Sequence, residues 1–295
     1  MNFGRVLTAM VTPFDQIGNI DYVKTETLIN HLIANGSDAL VVAGTTGESP
    51  TLSNEEKLSL LQFVVKKVKK RVPVIAGTGS NNTYASIELT KQAENVGVDG
   101  IMLVTPYYNK PSQEGMYQHF KAIAKSTILP VMLYNIPGRS VVNMTPETII
   151  RLSEIENIVS VKEASADLDA MTKIIRETDK FFTLYSGDDG LTLPVLSIGG
   201  NGVVSVASHI IGNDMQEMIR SYSTGNQQRA ADIHQHILPI IRTLFMAPNP
   251  TAVKEALALT GLDVGSVRLP LIPLNFEEKQ SLEQSLHFLR SYDVG

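Results

Sequence analysis

The sequence predicts an α/β protein that folds as a (β/α)8 TIM barrel with a C-terminal helical extension. Three observations support this fold class. Short apolar runs alternate with longer amphipathic stretches, the apolar runs are continuous, and eight of them occur in succession. Continuous Val, Ile and Leu runs are typical of parallel strands that are buried on both faces. Eight strand–helix units in a row favour a closed barrel over a doubly wound sheet.

The eight predicted strands are distributed over the first 206 residues. They cover residues 5–11, 39–43, 74–77, 100–104, 131–135, 158–162, 182–186 and 202–206. Between them, helical periodicity predicts helices at 22–35, 55–70, 83–96, 114–125, 145–153 and 168–178. Each of these helices is long enough to connect two parallel strands.

The chain after the eighth strand predicts further helices. Apolar residues recur at helical spacing in 214–224, 227–245, 251–259 and 277–291. We therefore divide the chain into a barrel at residues 1–225 and a C-terminal helical extension at 226–295. Helix boundaries carry local signals as well, such as the capping box that Ser53 and Glu56 resemble.

Composition excludes several classes of function. The formal net charge is −5 and no basic patch is visible, so we expect no nucleic-acid partner. There is no cysteine, which removes disulfides and thiolate chemistry and fits a cytoplasmic location. The first residues lack the features of an export signal. The uncharged segment 191–213 contains glycines, serines and a histidine, so we expect strand and turn there rather than a membrane span.

The sixth predicted strand ends in a lysine, Lys162. An amine at the end of an uncharged strand is poorly hydrated, which favours its neutral, nucleophilic form. Lys162 is therefore a candidate Schiff-base lysine. The alternative is an ordinary ion pair with Glu163. Because successive residues of a strand point to opposite faces, Lys162 and Glu163 should lie on different sides of the barrel wall, which weakens this alternative.

Polar residues also follow the second and fourth strands, at the barrel end where catalytic residues lie. The second strand runs into Gly44-Thr45-Thr46-Gly47-Glu48. Backbone N–H groups and hydroxyls there can cradle a carboxylate, or the segment can be only a tight turn. The fourth strand is followed by Tyr107 and Tyr108, a pair that indicates an interface, an active site or both.

The fifth, seventh and eighth strands contribute further candidates. Tyr134 ends the fifth strand and can relay protons, and Arg139 after it offers a planar fork for a carboxylate. A core tyrosine and a solvated arginine are the alternative. Gly187 and Val204 lie at the ends of the last two strands, where their carbonyl groups can line a pocket or belong to ordinary turns.

No motif indicates a metal or an organic cofactor. The six histidines are scattered, and no HExxH cluster is present. Gly77-Thr78-Gly79 follows a strand but lacks the third glycine of a dinucleotide fingerprint. We therefore expect chemistry without a cofactor, carried by side chains alone.

Taken together, five motifs resemble the 4-hydroxy-tetrahydrodipicolinate synthase family, also called dihydrodipicolinate synthases. They are Gly44-Thr45-Thr46-Gly47-Glu48, Thr105-Pro106-Tyr107-Tyr108-Asn109, Tyr134-Asn135-Ile136-Pro137-Gly138-Arg139, Val161-Lys162-Glu163-Ala164 and Ser186-Gly187-Asp188-Asp189. The similarity extends to Asn249-Pro250, Lys254 and Arg268-Leu269-Pro270. It implies a barrel with a helical tail, usually assembled as a homotetramer of two tight dimers. It also implies that pyruvate condenses with L-aspartate 4-semialdehyde in the first committed step toward diaminopimelate and lysine.

The resemblance implies a role for each candidate residue. Lys162 attacks the pyruvate ketone, and the imine then becomes an enamine that attacks the semialdehyde. Thr45, Tyr134 and a neighbouring subunit's Tyr108 are implied to form a proton relay. Thr46 is implied to bind the pyruvate carboxylate, and Arg139 the carboxylate of the second substrate. The carbonyl groups of Gly187 and Val204 are implied to line the pocket.

Two departures from the family pattern are visible. After Arg139 the chain reads Ser140-Val141, where relatives commonly carry Thr-Gly, so the sequence does not determine the conformation of that loop. In lysine-inhibited relatives the inhibitor pocket contains histidines and a glutamate. Here Ser49, Asn81 and Tyr107 match that pocket, but the acidic group is missing and Lys57 adds like charge. We therefore expect weak or absent inhibition by lysine.

Two other functions remain open at this point. The first is a different pyruvate-dependent aldolase, such as N-acetylneuraminate lyase or a 2-keto-3-deoxy-sugar-acid aldolase. Arg139 and the paired tyrosines argue against it, because a sugar acid requires groups that bind hydroxyls. The second is a non-catalytic ligand-binding barrel, since fold does not imply function.

Overall fold

A computed structural model describes residues 3–291 of the chain. Eight parallel strands form a closed barrel in which neighbours follow chain order and the last strand pairs with the first. The strands are β1 (Val6–Ala9), β2 (Ala39–Val42), β3 (Val74–Gly77), β4 (Gly100–Val104), β5 (Val131–Asn135), β6 (Ile158–Glu163), β7 (Thr183–Ser186) and β8 (Gly202–Ser205). The predicted fold class is confirmed.

Helices surround the barrel and continue beyond it. The barrel helices are α1 (Tyr22–Ala34), α2 (Asn54–Val68), α3 (Thr83–Val96), α4 (Gln113–Ala124), α5 (Pro137–Ser140), α6 (Pro146–Ser153), α7 (Leu168–Glu177), α8 (Thr192–Ser197) and α9 (Ser208–Ser223). The helices after residue 225 are α10 (Gln227–Leu244), α11 (Thr251–Leu259) and α12 (Phe276–Ser291). The capping box at the start of α2 is present: Ser53 Oγ accepts from the backbone N of Glu56, and the Glu56 carboxylate accepts from the backbone N of Ser53.

The sequence missed part of the segment between β7 and α9. It contains α8, which at six residues is too short to show helical periodicity, so the expectation of strand and turn alone was wrong. Helix α9 begins at Ser208 rather than at residue 214, and non-helical dihedrals at Ile211 separate its first residues from the segment in which helical periodicity is visible. None of the described helices is long and apolar enough to cross a membrane.

Side chains of the strands divide into two hydrophobic layers. The inner layer fills the barrel and includes Leu7, Val41, Ile75, Met102, Met132, Tyr134, Tyr185 and Val204. The outer layer lies between strands and helices and continues into α10 and α11 through residues such as Ile237 and Leu257. The division of the chain at residue 225 stays a prediction. The alternation of the two layers along each strand determines which residues face the barrel interior.

Candidate active site

Lys162 lies on the inner face of β6, in register with Tyr134 of β5 and Tyr185 of β7. Its side chain is buried, with 5% of the residue exposed, and Nζ lies 4.2 Å from the centroid of the Tyr134 ring. The ion pairs formed within residues 3–291 do not include Lys162. Lys162 is thus a buried amine without a carboxylate partner among the described residues.

Glu163 points to the opposite side of the barrel wall, where it is buried. Nδ2 of Asn135 lies 3.0 Å from one of its carboxylate oxygens, and the backbone N of Ser165 donates to the other at 2.8 Å. Burial raises the pKa of Glu163. These partners separate Glu163 from Lys162, so the structure contains no ion pair between the two neighbours.

A cavity of about 300 Å³ opens beside the ends of strands β2 to β5. Three of the predicted site residues line it, namely Thr45, Tyr134 and Arg139. Because Tyr134 lines the cavity and its ring also contacts Lys162, this side chain connects the cavity to the lysine. The volume lies at the lower end of the range for small-molecule sites.

The segment after β2 forms a compact turn. The backbone N of Glu48 donates to the carbonyl of Thr45 at 3.0 Å, and Glu48 itself has a left-handed φ of 55°. The backbone N–H groups of Thr45 and Thr46 donate to no acceptor in the described part of the chain. Thr46 is buried, and its hydroxyl oxygen accepts a hydrogen bond from Asn249 Nδ2 at 3.0 Å. The turn therefore leaves backbone donors available to an anion.

Two glycines, Gly77 at the end of β3 and Gly79 in the loop that follows, also line the cavity. A Cβ at Gly77 would lie 2.5 Å from the carbonyl oxygen of Ala43, and a Cβ at Gly79 would lie 2.5 Å from the backbone N of Val104. These distances are too short for any side chain. Gly77 and Gly79, which make an incomplete dinucleotide fingerprint, thus allow the β3 loop to pack closely between its neighbours.

Arg139 lies on the single turn α5 after β5, where its side chain is exposed at the cavity. The departure that follows it preserves a compact loop. Thr105 donates to the Ser140 hydroxyl at 3.0 Å, and that hydroxyl lies 2.9 Å from the carbonyl oxygen of Ile136. Val141 has a φ of 68°, a conformation that suits glycine and strains a β-branched residue.

Gly187 and Val204 lie at the ends of β7 and β8. A Cβ at Gly187 would lie 2.6 Å from Cβ of Ala164 and 3.2 Å from Cε of Lys162, so the glycine allows β7 to pack closely against the end of β6 beside the lysine. Val204 is buried in the inner layer. The two strand ends are joined by Asp189, whose carboxylate accepts from the backbone N of Val206 at 3.1 Å. Burial raises the pKa of Asp189.

Tyr108 stands apart from the other predicted site residues. It is 88% exposed and has a left-handed φ of 72°. Its neighbour Tyr107 lines the cavity, and the Tyr107 carbonyl accepts from Asn81 Nδ2 at 3.1 Å. Within a single chain, Tyr108 is therefore not brought to the cavity.

Comparisons with known proteins agree with this geometry. Residues 2–289 match the Dihydrodipicolinate synthetase family. The chain belongs to this family. A 4-hydroxy-tetrahydrodipicolinate synthase of Bacillus velezensis is 68% identical over 282 residues, which cover 96% of this chain and 98% of the relative. One of Bacillus subtilis is 66% identical over 287 residues, with 97% and 99% covered.

A solved structure shows the same fold. The dihydrodipicolinate synthase of Bacillus anthracis superposes with a TM-score of 0.96 at 62% sequence identity, and the match covers 97% of this chain and 98% of that one. The family resemblance inferred from the five motifs is confirmed. The comparisons do not favour a sugar-acid aldolase or a non-catalytic barrel.

The extension of this family member contacts the turn after β2 through a buried ion pair that the sequence did not reveal. Nζ of Lys254 lies 2.6 Å from Oε1 of Glu48, and the two side chains are 2% and 1% exposed. The backbone N of Arg268 donates to Oε2 of the same carboxylate at 2.9 Å. Burial lowers the pKa of Lys254 to about 8, although the nearby Glu48 carboxylate opposes the shift. Lys254 and Arg268 were part of the family resemblance, but nothing local in the sequence pairs them with Glu48.

Lys57 is a further cation at the cavity of this dihydrodipicolinate synthetase family member. It lines the cavity together with Ser49 and Tyr107, two of the residues that match the inhibitor pocket of lysine-inhibited relatives. Burial lowers the pKa of Lys57. No carboxylate among residues 3–291 forms an ion pair with it. Lys57 therefore presents its amine to the cavity without a local counter-charge.

Proposed function

We propose that this chain condenses pyruvate with L-aspartate 4-semialdehyde to 4-hydroxy-tetrahydrodipicolinate, the first committed step of diaminopimelate and lysine biosynthesis. The observation that carries this proposal is the buried amine of Lys162, which contacts Tyr134 beside the cavity. The names of relatives at 68% and 66% identity support the choice of substrates.

Lys162 carries the covalent chemistry in this proposal. Its Nζ bonds to the ketone carbon of pyruvate, water leaves, and a protonated imine remains. The imine withdraws electrons from the adjacent methyl group, which loses a proton to give an enamine. The enamine carbon then attacks the aldehyde of the second substrate, whose oxygen takes up a proton. Finally, the amine of that substrate attacks the imine carbon, closes the ring and releases Lys162.

Proton transfer in this scheme requires hydroxyl groups close to the imine. Thr45 and Tyr134 line one cavity, and Tyr134 contacts Lys162, which supports their assignment to a relay. Tyr108 is the third proposed member. Its exposure of 88% supports a position in the active site of a neighbouring subunit, as expected for a homotetramer built from two tight dimers.

Each substrate also carries a carboxylate that must be bound. Thr46 and the free backbone N–H groups after β2 are the proposed site for the pyruvate carboxylate, which suits several converging donors. Arg139, exposed at the cavity, is the proposed partner of the second carboxylate because its guanidinium can bind two oxygens at once. The carbonyls of Gly187 and Val204 complete the proposed pocket. We place the reaction in the cytoplasm, which the absence of cysteine supports.

Reductive trapping tests this function. Borohydride added with pyruvate should attach a pyruvyl group to Lys162, and peptide mass spectrometry should find it there and not on Lys254, the other buried lysine. Turnover should occur with aspartate semialdehyde and not with N-acetylneuraminate. A chain that forms no adduct on Lys162 is not a Schiff-base enzyme, and turnover of the sugar acid in place of the semialdehyde would assign it to the other aldolases.

A further inference from the structure

The extension contacts the turn after β2 at two points. Asn249, two residues before α11, donates to the Thr46 hydroxyl oxygen at 3.0 Å, and Lys254 within α11 forms the buried ion pair with Glu48. On the barrel side, the Thr12 hydroxyl donates to the carbonyl of Gly47 at 2.7 Å. The turn is therefore held on both sides of Gly47, and part of its support comes from outside the barrel.

The contact with Asn249 determines what the Thr46 hydroxyl can do. A hydroxyl group has a single proton and two lone pairs. Because Asn249 Nδ2 donates to the oxygen, the proton of Thr46 points elsewhere, and no acceptor for it exists among the described residues. Thr46 is thus prepared to donate one hydrogen bond to an acceptor that arrives from outside the chain.

Stability alone does not account for Asn249. Its Oδ1 atom is buried and has no partner within residues 3–291. An unpaired buried acceptor costs about 1–3 kcal/mol, which is comparable to what the bond from Nδ2 contributes. An apolar side chain would serve a purely structural role at least as well.

We propose that Asn249 is a positioning residue of the active site, which orients the Thr46 hydroxyl so that it donates to the carboxylate of pyruvate. The inference rests on the proposed role of Thr46. It makes the extension part of the binding site for the first substrate. It also favours an anion, because the Thr46 proton is left for an incoming acceptor while one of the two lone pairs of its oxygen is already used by Asn249.

Substitutions that differ in donor capacity test this assignment. Asn249→Asp has nearly the same shape but can only accept, so it should capture the Thr46 proton and raise the KM for pyruvate about tenfold or more, as expected for a lost bond to a charged group. Asn249→Ala leaves the proton free and should raise this KM less, by about twofold to tenfold. A purely structural role predicts instead that both variants lower the free energy of unfolding without a selective rise in the KM for pyruvate, because one removes a buried side chain and the other buries a charge.

A second set of variants isolates the hydroxyl. Thr46→Val should raise the KM for pyruvate, whereas Thr46→Ser, which keeps the hydroxyl, should restore most of the binding. In the Thr46→Val background, both Asn249 substitutions should change the KM for pyruvate less than about twofold, because the coupling is through the removed group. The KM for the semialdehyde should stay unchanged throughout.

The outcomes separate this inference from the proposed function. If the wild type forms no pyruvyl adduct on Lys162, the proposed function fails. If the adduct forms but Asn249→Asp binds pyruvate like the wild type, only the role of Asn249 is overturned. The same conclusion follows if the Asn249 substitutions raise the KM for pyruvate equally in the Thr46→Val background. Should Asn249→Asp fail to fold, the Asn249→Ala and Thr46→Val cycle decides alone.

Discussion

Two lysines of the described chain are almost completely buried, and they differ in their charge partners. Lys162 is 5% exposed and Lys254 is 2% exposed. Each places Nζ 4.2 Å from an aromatic centroid, that of Tyr134 for Lys162 and that of Phe14 for Lys254. Lys254 pairs with the carboxylate of Glu48 at 2.6 Å, whereas Lys162 has no such partner in residues 3–291. Burial and an aromatic contact are therefore common to both, whereas the Glu48 carboxylate and the carbonyl of Ser266, which accepts from Lys254 Nζ at 2.8 Å, are partners of Lys254 alone.

This difference separates a structural amine from a reactive one. A paired amine inside a protein holds its charge and fastens two segments, here the turn after β2 and helix α11. A buried amine without a counter-charge lowers the stability of the folded protein. Active sites commonly contain such destabilising groups. A search for catalytic lysines by burial alone would select both residues. Adding the charge partner selects Lys162.

The largest expected effect is on activity at Lys162. Lys162→Met should lower kcat/KM by about 10⁴-fold or more, the scale seen when a covalent nucleophile is removed. Its free energy of unfolding should be unchanged or higher, because an unpaired buried amine is replaced by an apolar chain of similar length. Steady-state assays and urea denaturation measure the two quantities. A Lys162→Met variant that loses stability but keeps its activity would show that Lys162 is a structural lysine like Lys254.

The next effect is on stability at Lys254. Lys254→Met should lower the free energy of unfolding by about 3–5 kcal/mol, because Glu48 is left buried without its partner. The pyruvyl adduct on Lys162 should still form in the folded fraction. The double variant Glu48→Gln with Lys254→Met is the matched control and should recover much of the loss, since no charge remains. Wild-type stability in the single variant would show that the ion pair does not fasten the extension.

A third buried base extends the comparison to acid pH. His209 is fully buried, Nδ1 donates to the carbonyl of Val206 at 2.7 Å, and Nε2 accepts from the backbone N of Val11 at 3.2 Å. Burial lowers the pKa of His209 to about 4, against 6.5 for the free side chain. Between pH 6.5 and 4 the unfolded chain binds a proton that the folded chain does not. The free energy of unfolding therefore decreases as the pH is lowered through this window, by at most about 1.4 kcal/mol per pH unit from this residue.

The variant His209→Gln checks that contribution. A glutamine oxygen can still accept from Val11 but does not titrate in this range. Urea denaturation at several pH values should show a shallower acid slope for the variant than for the wild type. Equal slopes would mean that His209 is charged in the folded chain, although no carboxylate within residues 3–291 forms an ion pair with it. His119, whose pKa burial also lowers to about 4, is unchanged in both proteins.

The smallest expected effect concerns Lys57, which is less buried than Lys162 and Lys254. It faces the cavity half-buried and has no ion pair within the described residues. We predict that L-lysine inhibits weakly or not at all, because the Lys57 amine repels the ligand's cation and no acidic side chain among the described residues lines the cavity to bind it. Lys57→Glu should strengthen inhibition, and Lys66→Glu, an exposed change on the same helix, should not. Sub-millimolar inhibition of the wild type in a steady-state assay contradicts this prediction.

Much of the fold could be predicted because its signals are local. Most barrel strands are largely apolar runs, and two-residue alternation correctly separates Lys162 from Glu163 across the barrel wall. Helix α8 escaped because six residues make less than two turns, and the kink at Ile211 concealed the start of α9. Strain at Val141 was equally invisible, since a backbone dihedral angle depends on the loop around it.

The candidate site divides in the same way. The motifs alone pointed to Thr45, Tyr134, Arg139 and Lys162, because polar residues at the ends of barrel strands converge wherever the barrel closes. Only the tertiary structure decided the partners of Glu48 and Thr46. Lys254 and Asn249 contact them from the helical extension, and the periodicity of that segment indicates only which of its residues are buried. Periodicity along a chain encodes which side of an element is buried. Which charged group a buried side chain contacts depends on how distant segments of the chain pack. This packing pairs Lys254 with Glu48 and leaves Lys162 without a carboxylate partner among the described residues.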